Sequence, residues 1–150
     1  MTATADQHMA QAIDHLRAAV AGDKPLLAGA QGLRALLAVL AAGVPLDPRL
    51  AGEASRLLFA AAPRIADAAA GRITPEFTYA ALGCASAAMT CMDVSRRSDL
   101  IGCAAVLEAE IRALHIRDLI TTRGQVDLVE MLFRNPVVAT PYLAGPLTVH

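Results

Sequence analysis

The stretch LLAGAQGLRALLAVLAAGVPL, Leu26 to Leu46, decides the fold. It holds one charge, Arg34, and one other strongly polar side chain, Gln31. A segment with so little polar surface has no wide solvated face, so it reads as the central helix of an all-α bundle. Leu26, Ala30, Leu33, Leu37 and Leu40 form its main ridge, and Leu27, Leu36 and Val39 make it apolar on most sides. Gly29 and Gly32 cost helix propensity, which makes sense where other helices cross closely. The stretch has about the length of a membrane span. Arg34, Gln31, the interior glycines and Pro45 argue against that reading, and no flanking basic cluster supports it.

Upstream, Asp6 is placed as the cap of a first helix reaching about Ala21, with Met9, Ile13, Leu16 and Val20 inward. His8 and His15 are seven apart, about 10 Å along a helix axis, too far for one metal ion to bridge easily. Downstream, Asp47-Pro48 and Thr74-Pro75 each pair an N-cap with a proline at the first helical position. The third helix carries Leu50, Ala54, Leu57, Leu58 and Ala61, and Pro63 is expected to break or kink it near Ala61. The fourth should run to about Asp93, with Phe77, Ala81, Cys84, Ala88 and Cys91 in one stripe. Ser98 or Asp99 would cap a fifth, ending near Ile120, with Leu100, Ala104, Leu107, Ile111 and Leu114 inward. Glu108 and Arg112 would pair on its outer face.

A short sixth helix is expected over Val126 to Phe133, with Glu130 and Arg134 as another such pair. From Asn135, prolines at 136, 141 and 146 forbid helix. The expected fold is thus an all-α, single-domain bundle of five to six helices over residues 1–134. An extended, Pro-containing strap or arm over residues 135–150 belongs to the same domain. Helices two, four and five should supply the core. Val137, Val138, Tyr142, Leu143, Leu147 and Val149 are too apolar for a free tail. Tyr142, Leu143 and Leu147 are therefore candidate interface residues, packing on the bundle itself or on another protomer.

Composition narrows function mainly by exclusion. The apolar share is 55%, roughly 60% once Gly is counted and Tyr is not, against the usual 45–50%. Such an excess points to apolar surface left for a partner. Net charge is −1 and there is no basic stripe, so nucleic acid is not an expected partner. The amino terminus lacks the pattern of a secretory signal, and the three cysteines show no paired spacing. A reducing, cytoplasmic setting follows as the expectation.

Chemistry-bearing motifs are scarce. No nucleophile elbow, phosphate loop or dinucleotide fingerprint occurs, so no catalytic residue is named and no cofactor is expected. Cys84, Met89, Cys91 and Met92, with Cys103 on the next helix, form the densest soft-ligand region. A Cys91–Cys103 pair with Met89 or Met92 is the geometry a soft metal would need; core packing is the simpler reading. His115 and Asp118 lie three apart, but the chain has no Glu-x-x-His for a dimetal bundle site. Arg34, isolated among apolar residues, must reach water, pair with an acid such as Asp67, Glu108 or Glu110, or bind a ligand anion. The sequence favours a non-enzymatic helical module acting by self-association or docking on another protein. The alternative is a helical pocket for a small molecule or soft metal near Arg34 or the three cysteines.

Overall fold

Five helices make up the computed structural model, which describes residues 5–43 and 45–122, with side chains as far as Leu119. They are α1 (Ala5–Ala21), α2 (Pro25–Ala41), α3 (Pro48–Ala69), α4 (Pro75–Ala88) and α5 (Val94–Thr122). Among the described residues there is no strand. The expected helix at Val126 to Phe133, and the strap with Tyr142, Leu143 and Leu147, lie outside the described residues. The chain divides into two compact units, between Leu114 and His115. The first is an all-α bundle. Of the second, the described part is the end of α5, where Ile116 and Leu119 are exposed and His115 and Asp118 are half-buried.

The helix starts follow local chemistry. Asp47 accepts a hydrogen bond from the Arg49 N–H at 2.9 Å, and Thr74 Oγ1 accepts one from the Phe77 N–H at 3.2 Å. Each satisfies an amide the helix cannot, worth about 1 kcal/mol. Asp6 differs from expectation: it stands inside the first turn of α1, where its charge favours the helix dipole, and does not cap it.

In the bundle, α1 packs on both α2 and α3, and α3 also packs on α4. Leu33 and Leu36 are fully buried, as are Leu16 of α1 and Leu58 and Ile65 of α3. Each such side chain contributes about 1.5–3 kcal/mol by leaving water. A Cβ on Gly29 would stand 2.8 Å from Ile65 Cδ1. One on Gly32 would stand 2.8 Å from Leu16 Cδ2 and 3.3 Å from the Leu16 backbone nitrogen. The two glycines sit on neighbouring faces of α2 and admit one partner helix each. The core is therefore built by α1 and α3 together with α2, and not by α2, α4 and α5 alone as expected. α2 also keeps a narrow outward strip, with Gln31, Arg34 and Ala38 exposed.

α3 passes through Pro63 as continuous helix, so of the break or kink expected there the break does not occur. Pro63 and Phe59, four residues earlier, are both exposed. The carbonyl that the proline leaves without a donor is thus on the solvent side, where water satisfies it. α3 ends on Ala70, a left-handed residue with φ 52°, followed by Gly71 with φ 81°. Arginines from α3 and the following turn close helix ends. Arg64 donates to the Val20 carbonyl at 2.6 Å and the Ala19 carbonyl at 3.3 Å, at the C-terminus of α1. Arg72 donates to the Ala69 carbonyl at 3.0 Å, at the C-terminus of α3.

α4 stops at Ala88 and Met89–Asp93 is a link, so Cys91 does not continue the α4 stripe. The buried face of α4 is Thr78, Ala81, Leu82, Ala85 and Ala88, with Phe77 and Cys84 half-buried beside it. Asp93, not Ser98 or Asp99, caps α5: its carboxylate accepts from the Ser95 N–H at 3.0 Å and the Arg96 N–H at 3.2 Å. Ala104, Leu107, Ile111 and Leu114 are buried as expected. No helix among the described residues is long and apolar enough to cross a membrane.

Candidate functional site

The three cysteines are free and half-buried, and they group differently from the expected Cys91–Cys103 pair. The neighbouring thiols are Cys84 on α4 and Cys103 on α5. Burial first, and then the neighbouring Cys103 thiol, push the Cys84 thiol above its ordinary range. Cys91 lies in the link, and its thiol donates to the Asp93 backbone carbonyl at 3.5 Å. Met92 beside it is almost fully exposed, at 92%, and Met89 packs against the core. The early end of α4 moves Cys91 off the helix, and Cys84 is the thiol that neighbours Cys103. Among the described residues no three His, Cys, Asp or Glu side chains gather as a metal site.

Arg34 stands exposed on the outward strip of α2. Of its expected partners, Asp67 and Glu110 are exposed, and Glu108 sits beside Arg112, with 3.5 Å between Glu108 Oε1 and Arg112 Nε. No acid among the described residues pairs with Arg34, and its side chain is exposed. The Glu108–Arg112 pair forms at the expected spacing but not on an outer face. Glu108 is only 8% exposed, and its Oε1 has no hydrogen-bond partner among the described residues. The 3.5 Å separation is a charge contact rather than an aligned hydrogen bond.

Sequence reasoning missed the outer face of α5. Gly102, Val106, Ala109 and Ala113 follow one another at spacings of four, three and four, and all are exposed. This row lies on the opposite side of the helix from Ala104, Leu107, Ile111 and Leu114. Nothing lies within 4 Å of where a Gly102 Cβ would be. The signal was present in the sequence: α5 carries two apolar rows with the 3–4 alternation, and a bundle helix needs one. Further apolar surface stands at Phe59 on α3, Tyr79 on α4 and Val94 at the start of α5.

Comparison with known protein families, with curated proteins and with solved structures finds no match to this chain.

Proposed function

We propose that the protein is a non-enzymatic helical interaction module, working in the cytoplasm, that pairs with a second copy of itself through the outer face of α5. The observation that carries this reading is the uncharged row Gly102, Val106, Ala109 and Ala113, exposed on a helix whose other apolar row is already buried. Small side chains at the 3–4 spacing let a second helix approach closely, with packing supplied by backbone and methyl contacts. The excess apolar composition supports the same reading. The cytoplasmic setting rests on the odd number of cysteines and their free state.

A row spanning twelve residues, eleven helical rises, is about 17 Å long. Such a contact is well below the ~800 Å² per partner of a standard interface, so pairing is weak, with a Kd of roughly micromolar or above. Light scattering across a concentration series is the test. A monomer–dimer equilibrium is expected, with Ala109→Glu shifting it to monomer at unchanged helix content, because two carboxylates would be forced together in the seam. A wild-type protein that remains monomeric into the millimolar range refutes self-pairing. A small molecule or metal retained in stoichiometric amount after native purification, with no self-pairing, replaces it with the pocket reading.

A further inference from the structure

The two ends of the bundle present different surfaces, and self-pairing through α5 uses neither. The Arg64 guanidinium on the Ala19 and Val20 carbonyls brings the α1–α2 turn to the late part of α3, beside the α3–α4 turn. Asp23, Lys24, Arg72 and Glu76 are exposed there, and Ile73, the one large apolar residue of those turns, is buried. At the other end the α2–α3 connection meets the α4–α5 link. A Cβ on Gly43 would stand 4.0 Å from Arg97 Nη2, and Ser55, two turns into α3, hydrogen-bonds Ser86 near the end of α4. Here Pro45, Pro48 and Met92 are exposed, and Val94 is 69% exposed. Connections between helices are ordinarily polar, yet Met92 is the most exposed large apolar side chain among the described residues.

Arginines stand at the same tip. Arg49 and Arg96 are exposed and Arg97 is half-buried, and none holds a side-chain hydrogen bond or ion pair among the described residues. The acids between them are engaged: Asp47 and Asp93 accept the amides of their own helices. Even with the exposed Asp6 and Asp99, in the first two turns of α1 and α5, set against them, one arginine's charge remains. Exposed apolar side chains beside unpaired arginines match the boundary of a membrane, where the first enter the acyl region and the second meet anionic headgroups. A neutral protein groove would take Met92 and Val94 and leave the arginines unanswered. We propose that this tip is a membrane-contact surface, with Met92 and Val94 entering an anionic leaflet and Arg49, Arg96 and Arg97 pairing with its headgroups. The contact is peripheral and reversible: no helix among the described residues crosses a membrane, and so small an apolar area is no anchor.

The test uses the full chain and vesicles of phosphatidylcholine and phosphatidylserine in equal parts. The wild-type chain sediments with them, and added salt releases it. An arginine near an anionic surface is worth about fivefold in partitioning, so Arg96→Ala weakens binding by about that factor. Met92→Asp with Val94→Asp abolishes binding at unchanged helix content. The chain has no tryptophan, so Met92→Trp reports without background. Its emission moves to the blue on the vesicles, while that of Lys24→Trp, at the opposite end, does not. The proposal is overturned by wild-type chain left in the supernatant, by equal binding to phosphatidylcholine alone, by a blue shift equal at both ends, or by binding that survives the double substitution. A Met92→Trp shift that follows protein concentration without lipid also overturns it, and assigns the tip to contact between copies. Sedimentation of the wild type decides even where a variant does not fold.

Discussion

α2 and α5 are both rich in Ala and Leu and both carry glycine inside the helix, yet the bundle uses them in opposite ways. Around α2 the small residues are enclosed: Gly29 lies under Ile65, and Gly32 under Leu16. On α5 one apolar row is enclosed while the other, from Gly102 to Ala113, faces out with open space at its glycine. Composition cannot separate the two cases, because a glycine under a neighbouring side chain and a glycine facing water have the same sequence signature. What separates them is whether a second helix arrives, and that is decided by residues far away in the chain.

One substitution made at three places sharpens the contrast. Replacing a helical glycine by alanine gains about 1 kcal/mol of helix propensity, while overpacking a filled site costs about 1–3 kcal/mol. Gly32→Ala should lose about 2 kcal/mol net in urea unfolding, because Leu16 is fully buried and its backbone nitrogen bounds the site. Gly29→Ala should fall near zero, since the atom it meets is the flexible end of Ile65. Gly102→Ala should gain about 0.5–1 kcal/mol. Equal effects at all three would break the distinction between enclosed and open faces. The smallest effect is expected on the outward strip of α2: Arg34→Leu should change stability by less than about 0.5 kcal/mol. A larger loss would reveal a partner that the described residues do not include.

The helices were legible because their boundaries carry strong local chemistry. Asp47-Pro48 and Thr74-Pro75 act within three residues of themselves, and both cap as their types dictate. The α4–α5 link was misread because Met89 to Asp93 contains no glycine or proline. Its one signal, Asp93 two and three residues before the amides it accepts from, competes with Ser98 and Asp99 for the same role. That misreading carried the expected thiol pair with it: extending α4 keeps Cys91 in its stripe, whereas ending it at Ala88 leaves Cys91 in the link and Cys84 as the thiol that neighbours Cys103. The break expected at Pro63 does not occur for another reason. The carbonyl a proline frees costs little where it faces water, and which side of α3 faces water is a property of the packed bundle.

The Arg64 guanidinium on the Ala19 and Val20 carbonyls has a kinetic consequence. A helix end normally frays alone, in a local opening that exchanges its amides quickly. The last turn of α1 is fastened by a residue more than forty positions later in the chain, so it cannot open without α3 letting go. Its protons should therefore exchange on the timescale of whole-bundle unfolding, and Arg64→Ala should return them to the fast class while the middle of α1 stays slow. The α1–α2 hairpin, for all its internal contacts, is then not a folding unit of its own: its first helix is completed only when the third has docked.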